Sequence, residues 1–256
     1  MKLLRNGIGS ILFNLIYYPF TLIYCSIGLM PLCLAKTDGP IRKGIHYYCR
    51  GSLWIARLTL GLKHEYRGLE KLPKEGAFIL AAAHQSNMDP IMTFPIRNDV
   101  TALAKKQLFH VPFIGAALRK AKIVKIDRES RTAHKGMEDV AKHIQEMGRP
   151  LIVYPQATRM RPGHYRRLKS GAYYLQADTD LPVYTVATNT GLFWTKGFWH
   201  RGGTAVFEID GPIEHRLDKA SFMERVEAAV VTRSDQLITE AGFGNLLTHK
   251  VADDDA

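Results

Sequence analysis

One stretch of this 256-residue chain decides its predicted fold: Ala77-Phe-Ile-Leu-Ala-Ala-Ala-His84-Gln-Ser-Asn-Met-Asp89. The residues before His84 are all apolar, which is typical of a strand that is covered on both faces of its sheet. His84 follows at the point where this strand would end, and α/β sheets commonly place their chemistry at strand ends. The stretch therefore predicts a buried strand that leads directly into a reaction centre.

Asp89 has two interpretations. A histidine can act as a general base near neutral pH, and a carboxylate on its other ring nitrogen would fix the tautomer and stabilise the imidazolium. The spacing permits such a pair between His84 and Asp89 across one turn. An Asp followed by Pro90 is also typical of a helix start, with Asp as the N-cap and Pro at the first helical position. Asp89 can serve as the cap, as the partner of the base, or as both.

Short apolar runs alternate with helical patterns along the rest of the chain. Strands are predicted at Ala77–Ala83, Val100–Ala104, Ile123–Ile126, Leu151–Tyr154, Val183–Ala187 and Thr204–Ile209. Helices are predicted at Gln107–Lys120, Arg131–Met147, Tyr165–Ala177 and Ser221–Ala241. This alternation predicts an α/β fold with a largely buried sheet.

The N-terminal segment predicts membrane attachment. No charged residue lies between Gly7 and Ala35, and this run exceeds the ~20 residues that a helix needs to cross the hydrocarbon core. It is also longer than the ~7–15 apolar residues of a signal peptide. Pro19 and Pro31 would kink a single span. The next tract, Ile41 to Leu62, mixes aromatic and basic residues, as in a helix that lies among lipid headgroups.

Two modes of attachment fit this pattern: a single span followed by an interfacial helix, and a hairpin that dips into one leaflet. In either case we expect residues 1–62 to form a membrane-anchoring helical segment and residues 63–256 to form the catalytic domain.

The overall charge indicates an anionic partner. Lys and Arg number 35 against 24 Asp and Glu, which gives a net charge of +11. Such an excess suits nucleic acid, an acidic membrane, or a phosphorylated substrate or acidic carrier. The apolar N-terminus and the lack of a recognisable nucleic-acid motif argue against nucleic acid. The three cysteines, Cys25, Cys33 and Cys49, have no metal-ligand spacing, and an apolar setting disfavours a thiolate nucleophile.

Four blocks in order carry a family resemblance. The first is His84–Asp89, and the second is Ala104-Lys-Lys-Gln-Leu-Phe-His-Val-Pro-Phe-Ile-Gly115, closing with Ile126-Asp-Arg128. The third is Tyr154-Pro-Gln-Ala-Thr-Arg159, and the fourth is Leu181-Pro-Val-Tyr-Thr-Val186. Together these blocks resemble the glycerolipid acyltransferase family, whose best-known members are 1-acylglycerol-3-phosphate acyltransferases, over roughly Tyr66 to Pro212.

The resemblance implies a glycerol-3-phosphate acyltransferase-like fold, a mixed sheet covered by helices with an N-terminal membrane-associated segment. It implies transfer of a fatty acyl group from a thioester, on coenzyme A or acyl carrier protein, to the free hydroxyl of lysophosphatidate in phospholipid synthesis. His84 would deprotonate that hydroxyl and Asp89 would orient His84, without a metal or a cofactor. The expected location is the bacterial inner membrane, with the catalytic domain on the cytoplasmic side and membrane lipids as partners.

The resemblance also implies residues that bind substrate. Arg128 and Arg159 are candidates for the acceptor phosphate because a planar guanidinium grips phosphate oxygens in pairs, and Lys106 is a third candidate. Gln156 and Thr158 belong to the third block and complete the predicted binding set. Alternatives remain open: another lysolipid as the acceptor, or a non-catalytic module that binds membranes or nucleic acid.

The third block departs from the family pattern, usually Phe-Pro-Glu-Gly-Thr-Arg, in two central residues. Gln156 stands in place of Glu and keeps an acceptor oxygen but loses the charge. This exchange either suits an acceptor other than a simple glycerol phosphate, or leaves a residue that orients the loop holding Arg159. Ala157 stands in place of Gly, and we expect its backbone to adopt a conformation that is open to ordinary residues.

Overall fold

The computed structural model describes residues 2–111, 113–126, 133–247 and 251–252. Within them, seven strands form one sheet, and two further strands pair separately. The strands are β1 Leu62–Arg67, β2 Ile79–Ala82, β3 Thr101–Lys105, β4 Val124–Ile126, β5 Leu151–Val153, β6 His164–Tyr165, β7 Val183–Thr188, β8 Gly203–Asp210 and β9 Val251–Ala252. The main sheet has the order β1-β8-β7-β2-β5-β3-β4, and β6 pairs with β9.

The main sheet is mixed. Strands β7, β2, β5, β3 and β4 are parallel, whereas β8 runs antiparallel to β7 and parallel to β1. The first and third family blocks follow β2 and β5, which are adjacent, and the segment after β7 reaches the same edge from the other side. The sheet therefore brings together segments that are about 70 to 100 residues apart in sequence.

All six predicted strands overlap observed strands, and the predicted α/β fold is confirmed. Strand β1 was missed because its sequence, Leu62-Lys-His-Glu-Tyr-Arg67, lacks an apolar run. It forms the edge of the sheet, where one side has no neighbouring strand among the described residues and polar side chains remain exposed.

Helices cover both faces of this sheet. They are α1 Lys2–Ile23, α2 Gly39–Leu60, α3 Met88–Thr93, α4 Ile114–Lys120, α5 Ala133–Met147, α6 Gly171–Thr179, α7 Lys219–Glu227 and α8 Arg233–Glu240. Ile79 and Ala81 of β2 belong to a core with α5, α6 and α7, whereas Leu80 and Ala82 belong to a core with α2 and α3. Strand β2 is thus buried on both faces, as its sequence predicts.

Three predicted helices differ from those observed. Gln107–Lys120 is not one helix, because a 3-10 turn ends at His110 and Phe113 has φ +64° before α4 begins. The prediction at Tyr165–Ala177 starts too early, since Tyr165 lies in β6. Ser221–Ala241 is α7 and α8 joined by a π-helical turn at Ala228–Thr232. Arg131 and Thr132, at the start of the predicted helix Arg131–Met147, lie outside the described residues.

Helices α1 and α2 form an antiparallel hairpin. Gly9 of α1 lies beside Thr59 near the end of α2, and the Tyr24 hydroxyl, just after α1, donates to the carbonyl of Gly44 at 3.0 Å. The segment Leu4–Leu34 is long and apolar enough to cross a membrane by length and composition, which indicates membrane association. The same hairpin covers one face of the sheet, and the domain boundary at residue 62 remains a prediction.

Candidate active site

The backbone positions His84 at the carboxyl end of β2. Its N–H donates to Oε1 of Gln156 at 2.6 Å, and its carbonyl accepts from the N–H of Met160 at 2.7 Å. Its Nδ1 nitrogen lies 2.8 Å from Oδ2 of Asp89, and its side chain is 19% exposed. With Nδ1 against the carboxylate, Nε2 is the ring nitrogen that is left to accept a proton.

Asp89 is held by four hydrogen bonds and is fully buried. Besides His84, the backbone N–H groups of Gln85 and Ser86 donate to Oδ2 at 2.6 and 2.8 Å. The hydroxyl of Thr190 donates to Oδ1. These donors satisfy a carboxylate that could not otherwise be buried without a large cost.

Asp89 does not cap α3, so the helix-cap interpretation is wrong. The helix begins at Met88, with Asn87 at the N-cap position and without a side-chain cap there. Ser86 instead accepts a hydrogen bond from the N–H of Met88 at 3.0 Å. The carboxylate of Asp89 is directed back toward His84, as the base-partner interpretation requires.

Tyr154 packs against the imidazole. The two rings are stacked, with centroids 4.1 Å apart and an interplanar angle of 22°. Burial, together with the nearby charge of Asp89, raises the pKa of Tyr154 well above its usual value. The phenol is therefore neutral, and its ring covers one face of the His84 imidazole.

Gln156 connects the third block to the first. Its side-chain oxygen accepts from the backbone N–H of His84, and the residue is 7% exposed. A Glu at this position could accept the same bond, so the contact favours an orienting role for residue 156.

The expectation for Ala157 is wrong. Its φ is +59°, in the left-handed region that glycine adopts without a steric penalty. The turn keeps the backbone shape that the family glycine allows, although the side chain makes that shape costly by about 1–2 kcal/mol. Hydrogen bonds from the N–H of Ala157 to the carbonyl of Tyr154, and from the N–H of Lys169 to the carbonyl of Pro155, support the turn.

The structure brings most of the predicted binding residues to one edge of the sheet. Arg159 is exposed, and its Nη1 donates to Oδ1 of Asn87 within the first block. Thr158 precedes it and is half-buried. Lys106 is exposed and follows β3 at the same edge, two strands from β2. Arg128 lies outside the described residues.

Two contacts could not be found from the sequence. Thr190 lies 101 residues from the carboxylate that it binds and four residues beyond the fourth block. Next to it, the N–H of Gly191 donates to Oε1 of Gln85 at 3.1 Å, which ties the loop after β7 to the loop after β2. Only the adjacency of these strands in the sheet reveals these contacts.

Other types of site find little support among the described residues. Burial raises the pKa of Cys49 to about 12, so this thiol is a poor nucleophile near neutral pH. The described residues include no group of three His, Cys, Asp or Glu side chains that could hold a metal ion. The expectation that the reaction needs no metal or cofactor remains a prediction.

Comparisons with known proteins agree with the motif blocks. A family model described as "Acyltransferase" matches residues 63–189. The 1-acyl-sn-glycerol-3-phosphate acyltransferase of Pseudomonas aeruginosa is 26% identical over 211 residues, covering 82% of each chain. The enzyme of the same name from Escherichia coli is 30% identical over 173 residues, covering 67% of this chain and 69% of the relative.

A solved structure shares the fold. The crystal structure of the 1-acyl-sn-glycerophosphate acyltransferase of Thermotoga maritima aligns with a TM-score of 0.72 at 21% identity, covering 93% of this chain and 98% of that one. The alignment therefore includes most of the N-terminal hairpin as well as the sheet. Within this chain, His84, Asp89 and Arg159 all fall in the segment that the family model matches.

Proposed function

The chain belongs to the 1-acylglycerol-3-phosphate acyltransferase family of O-acyltransferases, and we propose that it transfers a fatty acyl group from an acyl thioester to the free hydroxyl of lysophosphatidate. The observation that carries the proposal is the hydrogen bond between His84 and the buried Asp89 at the carboxyl end of β2. Such a pair is what a general-base mechanism needs.

The reaction would proceed by direct transfer. Nε2 of His84 takes the proton from the acceptor hydroxyl while its oxygen attacks the thioester carbonyl carbon. The tetrahedral intermediate collapses, the carbon–sulfur bond breaks, and the departing thiolate takes the proton from the imidazolium. Asp89 holds the Nδ1–H tautomer and stabilises the imidazolium between these two proton transfers.

We propose that cations at the same edge hold the acceptor phosphate. Arg159 is tied to Asn87, only two residues from Asp89, so its guanidinium lies close to the proposed base pair. Lys106 and Arg128 would contribute from the segments after β3 and β4, and Thr158 would contribute from the third block. Gln156 would act through the backbone of His84, and its contact gives no reason to prefer a different acceptor.

The intact base pair also argues against a non-catalytic module. The donor remains a choice between acyl-coenzyme A and acyl carrier protein, and both carriers present the same type of thioester. Assays with each carrier under the same conditions would separate these two donors.

For membrane attachment we propose a hairpin in one leaflet. Polar side chains of α1 bond to the catalytic domain: Ser10 to the carbonyl of His200 at 3.2 Å, and Asn14 to the carbonyl of Phe198 at 2.9 Å. Between them, Phe13 is buried against Trp194. A helix that is packed on the sheet-containing domain along this face is poorly placed to cross the whole bilayer. We propose that this membrane is the bacterial inner membrane and that the catalytic domain lies on its cytoplasmic side.

A thiol-release assay tests the function. The His84→Ala variant, in detergent with acyl-coenzyme A and lysophosphatidate, should release no free thiol above background, whereas the exposed-histidine control His215→Ala should keep wild-type turnover. Full turnover by His84→Ala would end the proposal. A panel of lysolipids then tests the acceptor, and a clear preference for a phosphate-free lysolipid would exclude lysophosphatidate.

A further inference from the structure

A cavity of about 740 Å³ lies between α2 and the edge strand β1. Its walls include His46, Arg50, Trp54 and Arg57 from α2, and His64 from β1. Its volume is within the range of about 300–1,000 Å³ that is usual for ligand-binding pockets. The residues that contact His84 or Asp89 do not line it, and it lies beyond the C-terminal end of α3, where Pro95 closes one side.

The cavity is positively charged. Arg50 and Arg57 are exposed, and neither forms a hydrogen bond or an ion pair with any described residue, unlike Arg42, which pairs with Asp38. Among the described residues, no acidic side chain lines the cavity. Arg50 and Arg57 are seven residues apart on α2, so their Cα atoms are about 10 Å apart along the helix axis and their side chains leave from similar sides of the helix.

The positive charge of the two arginines also affects two histidines that line the cavity. Burial lowers the pKa of His46, and the charge of Arg50 lowers it further. Burial also lowers the pKa of His64, as do the charges of Arg57 and Arg50. The arginines thus create a positive potential on both walls of the cavity, and an anion inside it would relieve their mutual repulsion.

The surroundings of the cavity are typical of a membrane interface. Tyr47, Trp54 and Leu58 of α2 are each 62% exposed, and they follow the same helix face as the two arginines. Gly51 lines the cavity and packs against Phe20 of α1, the helix that carries many further exposed apolar side chains. Exposed Tyr and Trp beside Arg mark the level at which lipid headgroups lie.

We infer that this cavity binds the phosphate group of an anionic membrane phospholipid, with Arg50 and Arg57 on the phosphate oxygens and the acyl chains along the exposed apolar side chains of the hairpin. The occupant is a lipid because apolar and aromatic groups surround the charged cavity; a soluble phosphate would use only the charge. This site is separate from the proposed acceptor site, so the inference does not depend on the acyltransferase reaction.

Vesicle binding tests the inference with the full chain. Purified protein is mixed with vesicles of phosphatidylcholine alone or with added phosphatidylglycerol, and the bound fraction is measured by flotation. The test variant is Arg50→Gln/Arg57→Gln. The control Arg216→Gln/Arg225→Gln lowers the net charge by the same amount, at two exposed arginines that lie outside the cavity. Thermal unfolding of each variant establishes that it is folded.

We expect phosphatidylglycerol to strengthen the binding of the wild type and of the control to vesicles. The test variant should bind the phosphatidylglycerol vesicles about 30-fold more weakly than the wild type, because each basic residue at an anionic surface contributes to binding separately. Native mass spectrometry should show one phosphatidylglycerol retained by the wild type and by His84→Ala, but not by the test variant. Equal losses in the test and control variants would overturn the site, because bulk charge would then explain the binding. Competition by inorganic phosphate or coenzyme A, without a phosphatidylglycerol effect, would overturn the lipid assignment.

Thiol release by the same variants separates this inference from the proposed function. In detergent, the test variant should keep its turnover of acyl-coenzyme A and lysophosphatidate. If the test variant loses phosphatidylglycerol binding but keeps normal turnover, the result supports the lipid site. If it loses turnover but keeps normal phosphatidylglycerol binding, the result contradicts the lipid site.

Discussion

At the residue scale, Asp89 depends on local donors and on one donor from a distant part of the chain. Two of its hydrogen bonds come from the N–H groups of the adjacent turn, whereas Thr190 reaches it from the loop after β7. A buried carboxylate that loses one donor has an unsatisfied oxygen and is held less firmly in its orientation. The geometry of the proposed base pair therefore depends on a hydroxyl outside the family blocks.

Thr190→Val should lower kcat with little change in KM, because the missing hydroxyl alters the base pair and not the bound substrate. We also expect the free energy of unfolding to fall by about 1–3 kcal/mol, the cost of an unsatisfied buried acceptor. Steady-state kinetics and denaturant unfolding measure these effects. Thr101→Val, which removes another fully buried hydroxyl, should lower stability but preserve kcat. Equal kcat losses in both variants would assign Thr190 a structural role only.

Ala157→Gly should stabilise the protein by up to about 1.6 kcal/mol. Glycine removes the penalty for φ +59°, about 1–2 kcal/mol, and this gain exceeds the entropy that a glycine adds to the unfolded chain, about 0.4–1 kcal/mol. Denaturant unfolding measures the difference. The control Ala177→Gly, at an exposed position in α6, should destabilise by about 1 kcal/mol. A loss of stability in Ala157→Gly would show that the turn favours alanine.

At the element scale, Arg149 joins the helical hairpin to the sheet. Its side chain is 8% exposed; Nε donates to the carbonyl of Asp99 at 2.7 Å, and Nη1 lies 3.3 Å from Oδ2 of Asp38, just before α2. Burial lowers the pKa of Arg149, and the opposite charges of Asp38 and Asp99 partly offset this effect. The hairpin turn is thus fixed by a largely buried cation.

Arg149→Met should destabilise the protein by about 3 kcal/mol, since it leaves Oδ2 of Asp38 and the carbonyls of Asp99 and Ala121 without the Arg149 donor, and among the described residues only the bond from Arg42 to Oδ1 of Asp38 remains. Hydrogen exchange should show the largest loss of protection around Asp38 and the start of α2. Arg225→Met, at an exposed arginine of α7, should change stability by less than about 0.5 kcal/mol. Unchanged exchange around Asp38 would mean that the hairpin is held without Arg149.

At the scale of the whole molecule, the hairpin and the catalytic domain share a core that contains a buried histidine. His200 is 3% exposed and packs edge-on against Phe13 of α1, with ring centroids 5.0 Å apart. Burial lowers its pKa from 6.5 to about 4. The folded protein therefore holds a neutral imidazole where the unfolded chain would accept a proton near pH 6.5.

The docking of α1 should weaken in acid. Because the folded pKa lies below the unfolded one, the stability from His200 is complete above pH 6.5 and is lost as the pH falls toward 4. Denaturant unfolding at pH 7 and pH 4.5 should show a smaller loss for His200→Phe than for the wild type. His215→Phe, at an exposed histidine, should match the wild type. Identical pH dependence in all three proteins would contradict this role.

The sequence by itself determined six of the seven strands of the main sheet, the position of the proposed base and the family. Each of these depends on a short local pattern in the sequence. The apolar run Ala77–Ala83 predicts a strand buried on both faces, and His84 follows it directly. Hydrophobic patterns and motif blocks depend on residues within a few positions of one another, so they can be recognised without a structure. The polar edge strand β1 lacked such a pattern and was missed.

Only the tertiary structure decided how Asp89, Gln156 and Thr190 are used. Gln156 bonds to the backbone of His84 across 72 residues, and Thr190 bonds to Asp89 across 101. Both contacts exist because β5 and β7 flank β2 in the sheet, an order that differs from the order along the chain. The carboxylate of Asp89 could have capped a helix and is instead directed toward His84, where the adjacent turn supplies two N–H donors and folding brings the hydroxyl of Thr190.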